Sequence, residues 1–144
     1  MELRLLGPVE VRLDGRLLDL GPPRQRCVFA ALAVDVGRPV QVDTIVDRVW
    51  DESPPPSARE SVYVYVGRLR KALLRALAPA DLVRRSGGYQ LEAETDQVDL
   101  HRFRLAVHRA GQPGRPSADR LAALRAAMAV WRGAPLADLD AEWA

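Results

Sequence analysis

The segment from Ser57 to Ala78 constrains this chain more than any other, because prolines frame it on both sides and none falls inside it. Pro54-Pro55-Pro56 cannot occupy a helix interior, since consecutive prolines remove backbone donors and fix φ, and Pro79 closes the far end. Between them a long helix is expected over Ala58 to Ala78, with Ser57 as its cap and Glu60 as the capping-box partner. At about 100° per residue, Val62, Val66, Leu69 and Leu73 share a narrow arc, so one face is core. The opposite face carries Tyr63, Val64, Gly67, Arg68, Arg70, Lys71 and Arg75. No Asp or Glu occurs from Ser61 to Ala80. A merely solvated face usually mixes Glu and Lys in i, i+4 pairs. Cations at this density repel one another unless an anion compensates them, and the planar fork of Arg suits phosphate and guanine.

The whole chain hides this concentration. Its 144 residues hold 21 basic side chains, 20 of them Arg with Lys71, against 19 acids, a net charge of only +2. By segment, residues 1–58 hold 7 Arg against 9 acids (−2), residues 59–91 hold 6 Arg plus Lys71 against 2 acids (+5), and residues 92–144 hold 7 Arg against 8 acids (−1). A positive stretch between mildly acidic flanks is the pattern of a nucleic-acid footprint on a neutral body. Part of the Arg bias also fits GC-rich coding, with Ala, Leu, Val and Pro inflated alongside it. A hydrophobic share of 48% excludes disorder across the chain, and the longest apolar run, Cys27 to Val34, is far too short to span a membrane. A cytoplasmic protein is the expectation. Cys27 is the only cysteine, so stability rests on an apolar core rather than a disulfide.

Around the long helix the remaining elements fall into order. Glu2 to Leu6, Val9 to Leu13 and Arg16 to Leu20 are expected as three antiparallel strands, the latter two joined by the hairpin dipeptide Asp14-Gly15. Pro22-Pro23 opens a helix running to about Val36, with Val28, Leu32 and Val36 inward. Asp43 is expected to cap a second helix containing Ile45, Val46, Val49 and Trp50. The loop Asp51-Glu52-Ser53-Pro54-Pro55-Pro56 follows it, exposed and stiff. After the long helix, Leu82 to Arg85, the turn Ser86-Gly87-Gly88 and Tyr89 to Glu92 form a second hairpin. Helices over Val98 to Ala110 and Ser117 to Trp131, the second capped by Ser117, make an αα-hairpin across a Gly/Pro loop, and Ala141-Glu142-Trp143 begin another.

Strands, a helix pair, a basic long helix and a following hairpin make a winged helix-turn-helix. Such a helix fits the major groove of DNA, while a hairpin tip bearing Arg84 and Arg85 suits the narrower minor groove. Gly67 costs helix stability, which is tolerable if the backbone must approach another surface closely; neutral drift is the alternative. Trp50 either donates its indole N–H to a phosphate or closes the core.

With these motifs in place the chain resembles the AfsR/SARP family, the Streptomyces antibiotic regulatory proteins. The likeness is carried by Leu6-Gly7-Pro8-Val9-Glu10-Val11, Pro23-Arg24-Gln25-Arg26, Val49-Trp50 with Pro54-Pro55, Tyr65 to Leu73, Gly88-Tyr89-Gln90-Leu91, Val98-Asp99 with Phe103, and Trp131 to Leu136. It implies an α+β fold: an OmpR/PhoB-type winged-helix DNA-binding domain over residues 1–94, then the N-terminal part of an all-α, TPR-like bacterial transcriptional activation domain over 95–144. It implies a transcriptional activator of secondary-metabolite genes, acting as a homodimer on direct repeats in double-stranded promoter DNA and recruiting RNA polymerase through its sigma and alpha subunits. Arg68 stands where such proteins contact bases, Arg70 and Lys71 near phosphates, and Arg85 at the wing arginine. The loop Asp51 to Pro56 corresponds to the segment turned toward the polymerase. Gly67 departs from the polar or basic residue common at its position. No receiver domain precedes the winged helix, so phospho-aspartate control within this chain is not expected.

Other chemistries find little purchase. His101 and His108 share a helix face without a third ligand, Ser86-Gly87-Gly88 lacks the following helix of a phosphate loop, and Asp138, Asp140 and Glu142 lack calcium-loop spacing. Neither an enzyme nor a cofactor is expected. Two competing readings are a protein interaction module whose basic helix meets an acidic protein, and a sensor whose ligand-binding part lies outside these residues.

Overall fold

The computed structural model describes residues 1–140. Two small antiparallel sheets and five α-helices make an α+β fold. The first sheet joins β1 (Glu2–Arg4), β2 (Glu10–Leu13) and β3 (Arg16–Leu17), with Leu3 opposite Val11 and Arg12 opposite Leu17. Asp14 and Gly15 close the β2–β3 turn with φ of 49° and 78°, a tight primed geometry suited to strand twist. All three strands are shorter than expected; β1 ends at Arg4 and β2 starts at Glu10 because the chain from Leu5 to Pro8 turns aside to meet the C-terminal half.

Three helices follow: α1 (Pro23–Ala33), α2 (Val42–Trp50) and α3 (Ala58–Arg75). Helix α1 ends three residues before Val36, in tight turns from Asp35 to the carbonyl of Leu32 and from Val36 to that of Ala33, yet Val36 stays buried. Asp43 is not the cap of α2. Gln41 holds that position, and Asp43 lies in the first turn where its charge suits the helix dipole. The capping box of α3 is likewise absent: Ser57 makes no side-chain cap bond, and Glu60 lies in the first turn. Helix α3 stops at Arg75, short of Ala78, because Leu77 turns to φ 54° and the Ala78 amide reaches back to the Leu73 carbonyl at 3.0 Å. This is a Schellman end made without glycine.

A short strand that no sequence signal announced, β4 (Val40–Gln41), pairs with the wing. The wing itself is β5 (Asp81–Arg85) and β6 (Gly88–Glu92), and the second sheet runs β4-β6-β5. Its turn is Ser86-Gly87 alone; Gly88 belongs to β6, opposite both Arg85 and Gln41. Only glycine fits there, since a Cβ would lie 2.0 Å from the Val40 carbonyl oxygen. These elements share one core, in which Phe29, Ile45, Leu69, Leu73, Leu82 and Leu91 are fully buried. The arrangement of sheet, three helices and wing is a winged helix-turn-helix.

The C-terminal part begins with a single 3₁₀ turn, Thr95–Gln97, then α4 (Asp99–Ala110) and α5 (Ser117–Ala129). Ser117 is the first residue of α5, and Pro116 occupies the cap. The two helices pack antiparallel, closed at one end by an edge-on contact of Phe103 with Trp131 at 5.1 Å. They are tied to the first sheet. Asp99, 1% exposed, accepts hydrogen bonds from the amides of Leu5 (2.7 Å) and Leu6 (3.1 Å), and Val98 bridges Leu3 in parallel. The amides of Arg132, Leu136 and Ala137 donate to the carbonyls of Leu6, Leu5 and Gly7, and Leu136 enters the core. Asp138 accepts the Val9 amide at 2.7 Å and pairs with Arg26 of α1. The helix expected at Ala141-Glu142-Trp143 lies outside the described residues, as does Glu142 of the acidic cluster.

Candidate nucleic-acid interface

The buried face of α3 is the expected one: Val62, Val66, Leu69 and Leu73 are each at most 2% exposed. Every residue assigned to the opposite face is exposed except Gly67, which is half-buried. Spacing divides that face into two rows. Val64, Arg68, Lys71 and Arg75, at i, i+4, i+7 and i+11, form the outer row; Arg59, Tyr63, Gly67 and Arg70 form the row beside the wing. Tyr63 meets Tyr89 of β6 edge-on at 6.3 Å, and Arg70 Nε lies 3.8 Å from Asp81 at the start of β5.

The cations differ in how far the chain itself satisfies them. Arg68, Lys71, Arg75 and Arg84 have no carboxylate partner among the described residues. The loose Arg70–Asp81 pair has both side chains more than half exposed, so its net contribution is small. Arg59 pairs with Asp43, both side chains again largely exposed. The two wing arginines do not act as a pair. Adjacent strand residues face opposite sides: Arg84 sits across from Tyr89 on the side of α3, whereas Arg85 turns the other way and bonds the Glu92 carboxylate. Arg59 on this surface and Tyr89 buried behind it are thus residues that the sequence did not single out. The i, i+4 spacing of Arg59 and Tyr63 is the signal for the first; the second needs the strand register.

Trp50 is 8% exposed and packs in the core cluster, with the Arg24 guanidinium 5.4 Å above its ring. It therefore closes the core, as one of the two sequence readings has it. The loop after it leaves α2 through Asp51 at φ 53°, an uncommon backbone for a residue with a side chain. Glu52, Ser53, Pro54, Pro55 and Pro56 are all exposed, Asp51 half-buried, and the Ala58 amide bonds the Pro55 carbonyl at 3.0 Å. No group of three metal-ligating side chains comes together among the described residues; His101 instead places Nε2 3.1 Å from the Val34 carbonyl. No helix among them is long and apolar enough to cross a membrane.

A winged helix whose exposed helix face presents Arg68, Lys71 and Arg75 without carboxylate partners among the described residues fits the class of winged-helix transcriptional regulators. Residues 18–91 match the family described as transcriptional regulatory protein, C terminal. The chain is 37% identical to the transcriptional regulatory protein EmbR of Mycobacterium tuberculosis, over 96% of this chain and 37% of the relative. It is 35% identical to the regulatory protein AfsR of Streptomyces coelicolor, over 97% of this chain and 14% of the relative, and 29% identical to the regulatory protein DnrI of Streptomyces peucetius, over 98% and 55%. The solved structure of Mycobacterium tuberculosis EmbR in complex with a low-affinity phosphopeptide superposes with a TM-score of 0.83, covering 99% of this chain and 39% of that one. The chain belongs to the OmpR-type family of transcriptional regulators, and to its SARP type. It spans a little over a third of the length of EmbR.

Proposed function

We propose that this chain is a sequence-specific DNA-binding transcriptional activator. In this reading residues 1–94 serve as the DNA-binding domain and residues 95–144 as the beginning of a TPR-like activation domain. The observation that carries it is the outer row of α3, where Arg68, Lys71 and Arg75 stand exposed without carboxylate partners among the described residues. Helix α3 enters the major groove, with Arg68 on base edges beside Val64 and Tyr63, and Arg70, Lys71 and Arg75 toward phosphates. The wing lies over the adjacent minor groove with Arg85 toward that groove and Arg84 on the side of α3. Two copies sit side by side on direct repeats, and the loop Asp51 to Pro56 faces RNA polymerase. The exposure and stiffness of that loop support the last role, as does family membership.

Selection of bound sequences from random duplex DNA tests the reading and supplies the site. On that site, Arg68→Ala costs about 1 to 3 kcal/mol and relaxes base preference, while Lys71→Ala weakens all sequences alike and lowers the salt slope by about 1. Two variants that bind like the parent would remove α3 as the reader. Replacing Glu52 and Ser53 with Ala is expected to leave DNA affinity unchanged and to lower transcription by purified polymerase. Unchanged transcription would take the loop out of the activation mechanism.

A further inference from the structure

Between the N-terminal half of α3 and the tip of the wing lies a cleft of about 160 Å³, lined by Arg59, Tyr63, Arg84, Gly87, Gly88 and Tyr89. Its walls are fixed. The Val42 amide at the start of α2 donates to the Gly87 carbonyl at 3.0 Å, Gln41 Nε2 donates to the Ser86 carbonyl at 3.3 Å, and β4 pairs with β6. Tyr63 and Tyr89 brace the two sides against each other. The cleft is cationic on both sides: Arg59 comes from the helix and Arg84 from the hairpin, and Arg84 has no carboxylate partner among the described residues. The one acid in contact among the described residues is Asp43, and its pair with Arg59 is solvent-exposed, with side chains 52% and 80% accessible. Such a pair is worth little and exchanges readily.

A duplex with α3 in its major groove and the wing over its minor groove must carry one strand of backbone between the two elements. The cleft lies on that line. Guanidinium groups converging from two rigid elements suit a phosphodiester, whose charge-assisted bonds are stronger than those to neutral acceptors. We infer that this cleft is a single-phosphate clamp for the DNA backbone, in which Arg59 leaves Asp43 and closes with Arg84 on one phosphate. The inference rests on the DNA-binding reading above and adds Arg59 to the contacts, together with a division of labour: Arg68 reads bases while the cleft sets register.

A scan of the selected site with one neutral methylphosphonate at each backbone position in turn, using the full chain, tests this. The parent is expected to lose about tenfold in affinity at the clamped phosphate. The Arg59→Ala/Arg84→Ala double variant binds all sequences more weakly, shows no further loss at that position, and keeps its sensitivity elsewhere. Its log affinity against log salt is shallower by about 1, the share of one phosphate rather than two. Asp43→Asn, which frees Arg59, binds at least as tightly as the parent; weaker binding with a lowered melting temperature would make the Arg59–Asp43 pair merely structural. Parent and double variant responding alike at every position, while Arg68→Ala still relaxes base preference, would overturn the clamp and leave the DNA-binding reading standing. A phosphothreonine peptide bound by the parent and lost in the double variant, with DNA binding unchanged, would also overturn it. A parent with no salt-dependent affinity for any duplex would overturn the DNA-binding reading itself.

Discussion

Nothing among the described residues requires glycine at position 67, where an added Cβ would meet no heavy atom within 4 Å outside its own helix turn. The helix therefore carries a cost of about 1 kcal/mol relative to alanine without a packing reason. Gly67→Ala is expected to raise stability by about that amount in urea unfolding and at the same time to weaken DNA binding, because the methyl group stands on the row beside the wing. A variant that gains in both measurements would mean that no surface approaches this backbone. The opposite case is Asp99, whose carboxylate accepts the amides of Leu5, Leu6 and its own neighbour Leu100 at 2.7 to 3.1 Å while almost fully buried. Asp99→Ala strands these donors, each at a cost of about 1 to 3 kcal/mol, so a loss of at least about 3 kcal/mol is expected. Asp99→Asn, which keeps one acceptor oxygen, recovers part of it. Periodicity marked the exposed cations of α3 because helix geometry is local. It did not mark Asp99, whose partners Leu5 and Leu6 lie more than ninety residues away and leave no local trace.

At the level of elements, the signals that succeeded are those whose cause lies within a few residues: the Pro frame around α3, the Asp14-Gly15 turn, the apolar stripe of α3 and the order of strands and helices. Those that failed involve competition from elsewhere in the fold. Ser57 and Asp43 have the right chemistry for caps, yet Ser57 holds the cap position of α3 without a cap bond, and Asp43 is the second residue of α2, where it holds Arg59. Two residues were enough for β4 because β6 supplies its hydrogen bonds, and a strand that short has no periodicity of its own. The end of α3 carries a testable strain. Leu77 is 86% exposed and sits in the left-handed region, which costs a side-chain-bearing residue about 1 to 2 kcal/mol. Leu77→Gly is expected to raise the melting temperature, since it relieves the backbone and forfeits almost no burial. A lowered melting temperature would show that the leucine packs against something in solution.

The whole molecule shows how the two halves depend on each other. The segment from Leu5 to Val9 belongs by sequence to the N-terminal sheet, but its amides and carbonyls bond Asp99, Arg132, Leu136, Ala137 and Asp138. A chain ending at residue 94 would leave these groups unpaired and uncover the site of Leu136. It is expected to unfold at lower denaturant concentration than the full chain, by circular dichroism; equal midpoints would show that the winged helix stands alone. One ion-pair cluster spans the same boundary. Glu2 bonds Arg4 and lies 3.5 Å from Arg102 of α4, and the Arg4 guanidinium holds the Glu2 carboxyl below its usual range. That contribution is present at neutral pH and is lost as pH falls through the lowered value. Glu2→Gln should flatten the acid limb of a stability profile slightly, since the pair is partly exposed and worth less than about 1 kcal/mol.

The Leu5 to Val9 segment also decides where this protein is divisible. A hybrid that joins the helical half to a different winged helix cannot be cut cleanly at residue 94, because the graft would arrive without the backbone it binds. It must bring along its own Leu5 to Val9 and a counterpart of Arg26 to hold Asp138. The unit of exchange is therefore discontinuous in sequence, a short N-terminal segment travelling with helices that begin ninety residues later.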